Sequence, residues 1–169
     1  NAKGGSVKIK MDFSFIAPFE GSDRMGVLET KNGKVFTIAQ WYPRMCVYSD
    51  YQGWQHKQFT GRGEFALAFG NSKVKMTVPA DHVVCSTGEI QNAAQVLSSA
   101  QLARWKTAQT AKEVTEVVTL EEATKAEKGK ATTTKTWIFK ADSVRDFAWG
   151  SSRKFVWDAM PAFVGKHKT

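Results

Sequence analysis

Apolar and polar residues alternate along much of the first half of the chain. In residues 7–15 (VKIKMDFSF) the even positions are polar, whereas the odd positions carry the apolar side chains of Val7, Ile9, Met11, Phe13 and Phe15. A period of two places all five on one face of an extended chain. The segment therefore predicts an antiparallel strand that is buried on one face and wet on the other.

Two β-hairpins are predicted after this strand. Asn32-Gly33 lies between two apolar runs, and this pair favours a type I′ turn because both central residues of such a turn take positive φ. Residues 64–69 (EFALAF) and 73–78 (KVKMTV) alternate on either side of Gly70-Asn71-Ser72, which predicts a second hairpin. Pro79 has no N–H to donate to a ladder, so we expect it to end that strand.

Residues 82–88 (HVVCSTG) predict one further strand, after which the pattern becomes helical over residues 91–132. Ser98-Ser99 and Thr119 are suitable N-caps for two helices, and Gly129 is a suitable end for the second. Because these helices are short and mostly polar, we expect them to form an insertion outside the core.

The strand pattern returns over residues 133–169. Trp137 and Phe139 lie two apart in a Thr-rich run, and Ala141-Asp142-Ser143 predicts a turn into the next strand. Many short alternating strands joined by Gly and Asn turns are typical of a sandwich. The predicted fold class is therefore mainly β, an antiparallel sandwich or saddle-like sheet with a short helical insertion.

The composition is typical of a folded domain and argues against a membrane span and a nucleic-acid partner. The chain has 169 residues, of which 42% are hydrophobic and 24% charged, so it is long and apolar enough to bury a core. It has no run of about 18 apolar residues, which argues against a membrane span. Its net charge of +8 comes mostly from lysines scattered along the chain. This predicts a solvated basic surface rather than a nucleic-acid partner.

Candidate chemistry is sparse in this sequence. The chain lacks an H-E-x-x-H motif, a P-loop, a G-x-S-x-G elbow and a dinucleotide fingerprint, so no catalytic residue and no metal ligand is predicted within it. Asp81-His82 predicts a surface Asp and a half-buried His, because neighbouring side chains of a strand point to opposite faces. Cys46 and Cys85 lie in separate apolar runs and predict two small buried side chains. A disulfide between them would require adjacent strands and an oxidising compartment.

Several motifs occur along the chain in a fixed order: QWYPR (40–44), GRGEF (61–65), VKMTVPADHVV (74–84) and STGE (86–89). Together with TWIFKADSVRDFAWGSSRKFVWDA (136–159), this order resembles the aminopeptidase-N-like zinc metallopeptidases of the gluzincin type, and in particular their bacterial branch. The last segment resembles the connection from the N-terminal β-domain of that family to its thermolysin-like catalytic domain.

This resemblance implies a division of the chain and of the parent protein's chemistry. Residues 1–90 would be the C-terminal part of the family's N-terminal β-domain, residues 91–132 a helical insertion, and residues 133–169 the strands that lead toward the catalytic domain. In the family, zinc is held by two His and a Glu of the catalytic domain, and the motif's own Glu activates the zinc-bound water. We therefore expect zinc only in the parent catalytic domain, and no peptidase activity from this chain by itself.

The resemblance also implies partners and one substrate-binding residue. The partners would be the catalytic domain of the same polypeptide and the N-terminus of a peptide substrate, and exposed strand edges would allow a homodimer of the fragment. The family's N-terminal domain holds the substrate's free α-amine with a Gln or Glu shortly before a Pro, and Gln40 precedes Trp41-Tyr42-Pro43 here. An amide oxygen can accept a hydrogen bond from an ammonium group. The alternative is that Gln40 only ends a strand.

The aromatic residues after Gln40 have two interpretations. They line the S1 side of a substrate cleft, or they pack beneath the loop and against a neighbouring domain. The second is favoured because Tyr and Trp usually occupy cores and half-wet interfaces. The residues concerned are Trp41, Tyr42, Tyr48, Tyr51 and Trp54. Arg44 and Arg62 are predicted to brace the loop through hydrogen bonds.

Two other functions stay open from the sequence. A free-standing β-sandwich that binds carbohydrate or peptide would need an exposed aromatic platform. A basic nucleic-acid-binding domain would lose affinity steeply as the salt concentration rises.

Overall fold

The computed structural model describes residues 4–19, 24–63, 66–164 and 167–168. The elements found in these ranges are, in chain order, β1 (Met25–Thr30), β2 (Gly33–Ile38), β3 (Tyr48–Ser49), β4 (Gly53–Trp54), β5 (Gly70–Pro79), β6 (Val83–Ser86), β7 (Glu89–Ile90), α1 (Ala93–Val96), α2 (Ser99–Ala108), β8 (Thr115–Val118), α3 (Leu120–Glu127), β9 (Thr134–Val144), β10 (Trp149–Ser152), β11 (Trp157–Ala159), β12 (Phe163–Val164) and β13 (His167–Lys168). The chain is mainly β, as predicted.

Two antiparallel sheets form the body of the molecule. The larger has the strand order β1-β2-β10-β6, and the smaller has the order β5-β9-β7. Three two-stranded ribbons are also antiparallel and pair β3 with β4, β8 with β11 and β12 with β13. Strands from the last third of the chain therefore lie at the centre of both sheets, since β10 separates β2 from β6 and β9 separates β5 from β7.

The core fills the space between the two sheets. Met76 and Val78 of β5, Trp137 and Phe139 of β9, and Val84 of β6 are all buried in one cluster. Alternate residues of each strand point inward, which is why the apolar positions two apart in the sequence meet in this layer. The arrangement is sandwich-like, with the core formed by side chains from both sheets.

The helical segment packs on this core instead of lying outside it, which corrects the expectation from its polar composition. Ala93, Val96 and Leu97 are buried in the same cluster as Trp137. Asn92 ties the start of α1 to β9, because its Oδ1 accepts from the Ile138 N–H at 2.9 Å and its Nδ2 donates to the Thr136 carbonyl at 2.8 Å.

Both predicted helix N-caps are confirmed. Ser98 and Thr119 each accept a hydrogen bond from the backbone N–H three residues on. The side chain of the Gln or Glu at that position accepts in turn from the backbone N–H of the cap residue. Glu122 also accepts from Arg104 of α2, and this links the two helices. Burial raises the pKa of the Glu122 carboxyl, but the hydrogen bonds from Arg104 and from the Thr119 N–H outweigh it and hold that pKa below its ordinary value.

Replacing Glu122 with Gln is expected to lower the free energy of unfolding by about 1 kcal/mol at pH 7, because the charge-assisted bonds to Arg104 and the Thr119 N–H weaken. A carboxyl with a lowered pKa stabilises the fold above its unfolded pKa, and this contribution is lost as pH falls through the folded pKa. The difference in free energy of unfolding between wild type and Glu122→Gln should therefore become smaller from pH 7 to pH 3 in urea titrations. Glu121→Gln, an exposed acid of the same helical turn, is the control and should cost less; equal costs would contradict the interpretation.

The first predicted hairpin is confirmed with a shift, and the second is wrong. β1 and β2 pair in register from Met25↔Ile38 to Thr30↔Gly33, so Lys31-Asn32 form the turn instead of Asn32-Gly33. Residues 66–69 are irregular, and residues 64–65 lie outside the described part of the chain.

β5 pairs with β9, which lies more than fifty residues later in the sequence. This pairing explains why the turns predicted at residues 70–72 and 141–143 are both wrong. Gly70-Asn71-Ser72 lies within β5, and Ala141-Asp142-Ser143 lies within β9. The register shifts between Gly70 and Ser72, and Ser143 has a φ of 54°. The turn-forming residues therefore mark an irregular end of a long ladder instead of a chain reversal. Pro79 is the last residue of β5, as predicted.

The predicted N-terminal strand contains no helix, turn or bend, but it joins no sheet in the described structure. Residues 7–15 carry no strand pairing. Their five apolar side chains are exposed by 67% at Val7, 59% at Ile9, 55% at Met11, 49% at Phe13 and 46% at Phe15. The expectation of a buried face is therefore wrong for this chain, because the alternating segment has no neighbouring strand and no layer over its apolar row.

Candidate functional site

Gln40 follows the end of β2 and has a strained backbone. Its φ is 51°, and only one other described residue besides glycine, Ser143, also has a positive φ. A non-glycine residue in this region costs on the order of 1–3 kcal/mol, and it persists where the surroundings fix the chain on both sides. On one side the Ala39 N–H donates to the Arg24 carbonyl at 3.1 Å. The side chain of Gln40 is half-buried.

Trp41 fixes the chain on the other side of Gln40. Its indole Nε1 donates to the Phe147 carbonyl at 2.9 Å, and its ring meets Trp149 edge to face with 6.5 Å between ring centroids. The Tyr42 ring lies 5.0 Å from the Trp41 ring. Trp41 and Tyr42 are both half-buried against the core, so the packing interpretation is confirmed for these two residues.

Arg44 braces this corner through an ion pair with Asp146. Its Nη1 lies 3.0 Å from Asp146 Oδ1, the Arg44 side chain is only 14% exposed, and its guanidinium sits 5.5 Å from the centre of the Tyr42 ring. Asp146 in turn accepts from the Phe147 N–H at 2.7 Å. Burial, and then the negative charge of Asp146, raise the pKa of the Tyr42 hydroxyl, and Arg44 opposes them.

Residues 40–44 and 146–149 therefore pack together as one unit, which we call the Gln40 corner. A partly buried ion pair, an indole hydrogen bond and an aromatic edge contact join the two segments. Gln40 is the residue of the corner whose polar side chain has no hydrogen-bond partner described within the protein and is not sealed in the core. Chemically, the corner offers an amide group at a fixed position beside half-buried rings.

The other three aromatic residues of the loop do not pack, which corrects the prediction for them. Tyr48, Tyr51 and Trp54 are 62%, 78% and 53% exposed. The ribbon of β3 and β4 pairs Tyr48 with Trp54, whose rings meet edge to face at 5.2 Å. Beside the ribbon lies a shallow cavity of about 290 Å³, and exposed Arg62 lines this cavity.

His82 and Ser151 form a second polar cluster inside the fold. His82 Nδ1 and Ser151 Oγ are 2.8 Å apart, and the two residues are 4% and 1% exposed. Asp81 is half-buried and not on the surface as predicted: it lies 3.3 Å from Arg153 and accepts from the Ala131 N–H at 3.0 Å. These side chains tie the start of β6 to β10, and their burial suits a structural role.

Acidification should weaken the fold through His82. Burial lowers the pKa of its imidazole below the ordinary 6.5; nearby Asp81 opposes this effect, and Arg153 and Lys135 add to it. The unfolded chain takes up a proton near pH 6.5 and the folded protein only at lower pH, so the free energy of unfolding falls as pH drops below 6.5, by at most about 1.4 kcal/mol per unit.

The variant His82→Asn removes the titrating group and keeps a polar side chain that can reach Ser151. Urea titrations at pH 7.5 and 5.5 should show a smaller loss of stability for this variant than for wild type. His56→Asn, at an exposed histidine, serves as the control and should behave as wild type. An unchanged pH dependence in His82→Asn would contradict the assignment.

Both cysteines carry free thiols, and neither is fully buried. Cys46 is half-buried and Cys85 is exposed, so the prediction of two small buried side chains is wrong. Cys85 lies in β6, and its neighbour across the sheet is Gly150, whose carbonyl is 3.9 Å from the sulfur.

The described residues contain no candidate metal centre. No three His, Cys, Asp or Glu side chains in these ranges come together in a group that could hold a metal ion. None of the helices in the described part of the chain is long and apolar enough to cross a membrane.

Comparison with known proteins found no match. No family model, no curated protein and no solved structure matches it. What the chain does must therefore be inferred from its own residues and from the resemblance of its motifs.

The sequence alone pointed to Gln40 and Arg44 but missed Asp146, Phe147 and Trp149. The three missed residues complete the Gln40 corner from a strand end more than one hundred residues away. No local signal connects the two segments. Only the charge match between an Arg and a later Asp hinted at the pair, and many such pairs exist in this chain.

Proposed function

We propose that this chain is a non-catalytic part of the N-terminal domain of a zinc-dependent metallo-aminopeptidase. In this proposal it shapes the substrate cleft and packs against the catalytic domain, which carries the zinc. The support from the sequence is the ordered set of motifs, from QWYPR to the segment 136–159. The chain's own contribution would be binding and orientation of the substrate and not bond cleavage.

The observation that carries the proposal is that two of these motif segments, QWYPR and the segment 136–159, meet in space. Trp41 and Arg44 of QWYPR contact Phe147, Asp146 and Trp149 of the second segment through a hydrogen bond, an ion pair and a ring contact. If the two motifs resembled the family only by chance, their contact would not be expected. Their contact is expected if both motifs serve one site.

Gln40 is the residue that we assign to the substrate. Its side-chain oxygen would accept a hydrogen bond from the α-ammonium group of a peptide, and its amide NH₂ could donate to a peptide carbonyl. The strained φ of 51° holds the residue in one backbone conformation. Because Trp41 and the Arg44–Asp146 pair fix the chain next to it, little conformational freedom is lost when a substrate binds.

The zinc, where bound by the catalytic domain, would supply the activated water that attacks the peptide bond. The Gln40 corner would act at the other end of the substrate. By holding the free α-amine, it would set which peptide bond reaches the metal, namely the first. Blocking the α-amine with an acetyl group should then abolish cleavage, because the amide that results is neutral and longer.

The proposal is tested with Gln40 variants of the full-length product of the gene and aminoacyl p-nitroanilides. Gln40→Ala should raise KM about tenfold, the loss of one hydrogen bond to a charged group. Gln40→Glu should retain or improve KM, since a carboxylate also accepts from an ammonium group. Gln52→Ala, at an exposed amide, is the control. An unchanged KM in Gln40→Ala, or a full-length product without aminopeptidase activity, would overturn the proposal.

Gln40→Gly separates a binding role from a structural role. Glycine adopts positive φ without strain, so this variant should raise the free energy of unfolding of the 169-residue chain by about 1 kcal/mol. The same change removes the amide and should raise KM in the full-length protein as Gln40→Ala does. If Gln40 served only the fold, Gln40→Gly would leave KM unchanged.

The exposed rings on the ribbon of β3 and β4 favour a second candidate function. Tyr48 and Trp54 present an aromatic surface beside a shallow cavity, and such a platform suits a carbohydrate or peptide that stacks on it. Titration of the chain with oligosaccharides and unstructured peptides, followed by Trp fluorescence, tests this candidate. Saturable binding that is lost in Trp54→Ala would support it and would not depend on the catalytic domain.

A further inference from the structure

The apolar row of residues 7–15 needs a partner that the described monomer does not supply. Its five side chains are between 46% and 67% exposed, and the segment contains no helix, turn or bend. Within the described part of the chain, Phe13 is the residue of this segment with a ring contact to the body of the protein, at 6.3 Å between its centroid and that of Trp41. An extended, unpaired segment with one apolar face is a template for another strand.

The segment is complementary to itself when two copies run antiparallel. If Met11 of one copy lies opposite Met11 of the other, position 10 faces position 12, position 9 faces 13, and position 7 faces 15. Lys10 then lies opposite Asp12 twice, once on each side of the centre. The apolar residues then face one another as well, with Ile9 opposite Phe13 and Val7 opposite Phe15. Opposite charges and aromatic–aliphatic pairs are the cross-strand neighbours that stabilise a sheet.

We propose that residues 7–15 pair antiparallel with the same residues of a second copy of this chain, in the register centred on Met11. The contact is isologous, so each copy supplies the same surface. It goes beyond the proposed peptidase role, since it concerns how two chains associate and uses no residue that we assign to the substrate.

Residues 7–15 have two candidate pairing partners, the same segment of a second copy and the free edge of β5 in their own chain. Charge favours the second copy. β5 is an edge strand, and its solvent-facing positions include Lys73 and Lys75. Lys8 and Lys10 of the N-terminal segment would add like charges along that edge. In the monomer Lys10 Nζ lies 3.7 Å from Asp12 Oδ2, with both side chains more than 80% exposed, so this pair can exchange to the second copy at little cost.

Charge reversal tests both the dimer and its register. Wild type should show concentration-dependent dimers in sedimentation equilibrium. Lys10→Asp and Asp12→Lys should each weaken the dimer about tenfold or more, because each places two like-charged pairs across the strands. The double variant Lys10→Asp/Asp12→Lys should return to the wild-type dissociation constant, and so should an equimolar mixture of the two single variants.

Two outcomes of this experiment would overturn the proposal. One is a wild-type chain that stays monomeric at millimolar concentration. The other is a dimer whose affinity the two single changes leave intact, or one that the double variant and the mixture do not restore. Because both positions concerned, Lys10 and Asp12, are solvent-exposed, circular dichroism should confirm that every variant folds as wild type does.

Cysteine cross-linking tests the register directly, in a background with Cys46→Ser and Cys85→Ser. Met11→Cys should form a disulfide between copies, since residue 11 faces itself and facing Cβ atoms lie about 4.5–5.5 Å apart. Val7→Cys is the matched control, because residues 7 of the two copies would be eight residues apart along the ribbon, roughly 27 Å. Equal cross-linking at both positions would contradict the register.

Discussion

Replacing Trp137 with alanine is expected to lower the free energy of unfolding by about 4 kcal/mol, the cost of emptying a large aromatic site in a packed core. Trp137 is 0% exposed and lies in the middle of β9, opposite Met76 of β5. Its ring stacks with that of Phe139 at 6.3 Å between centroids and 10° between planes. Because both sheets and α1 meet at this residue, the surrounding structure has no simple way to close the cavity.

Trp137→Phe is the variant that tests the physical reason. The indole N–H of Trp137 is buried and meets no acceptor in the described part of the chain, so phenylalanine loses volume but also removes an unsatisfied donor. We expect a cost below about 2 kcal/mol for this change. Tyr51→Ala, at a ring that is 78% exposed, should be neutral within about 0.5 kcal/mol.

Guanidinium titrations followed by Trp fluorescence and far-UV circular dichroism give all three free energies. We expect the largest loss of unfolding free energy for Trp137→Ala, a clearly smaller loss for Trp137→Phe, and almost none for Tyr51→Ala. A cost for Trp137→Ala as small as that of Tyr51→Ala would mean that the two sheets do not share the core described above.

Local sequence patterns predicted the strands of this fold better than their partners. The alternation of Val74, Met76 and Val78, and the pair Trp137 and Phe139, marked β5 and β9 and their buried faces. Nothing in either segment indicated that they pair with each other, because a ladder between distant residues leaves no local trace. Turn-forming residues at positions 70–72 and 141–143 were read as chain reversals for the same reason: their φ/ψ preferences also suit an irregular end of a strand pair.

The helix caps were predictable because capping is local. Ser98 and Thr119 satisfy donors within three residues of themselves, so four residues of sequence contain the whole interaction. Whether a helix packs on the core depends instead on long-range contacts. Val96 and Leu97 are buried by strands that lie some forty residues away in sequence, and the polar composition around them concealed this.

The candidate site shows the same division between local and distant information. Gln40 and Arg44 were identified from the QWYPR motif, while Asp146 and Trp149 were found only in the structure. The strained φ of Gln40 could not be predicted either, because Gln has no preference for this conformation and only its fixed neighbours impose it. The sequence therefore indicated which residue types the site contains, but not the long-range contacts that orient them.

Gly88→Ala should be a strongly destabilising single-methyl change. Gly88 has a φ of +86°, and a Cβ at this position would lie 2.4 Å from the Lys140 carbonyl oxygen and 2.8 Å from Ala141 Cβ. Both neighbours belong to β9, the central strand of its sheet, which is held on both sides by β5 and β7. Because a backbone carbonyl in a central strand cannot move without breaking its ladder, we expect a cost of about 4 kcal/mol from strain and overpacking together.

Gly53→Ala separates these two contributions. Gly53 has a φ of +68°, but a Cβ there would meet nothing within 4 Å, so only the backbone strain of about 1–2 kcal/mol applies. The difference between the two variants, measured in the same guanidinium titration, gives the overpacking cost at β9. If both substitutions cost the same, the close approach of Gly88 to Lys140 would not exist in solution. A cost that is much larger for Gly88→Ala, together with weaker hydrogen-exchange protection at Ile138 and Phe139, is the result that the packing of β7 on β9 requires.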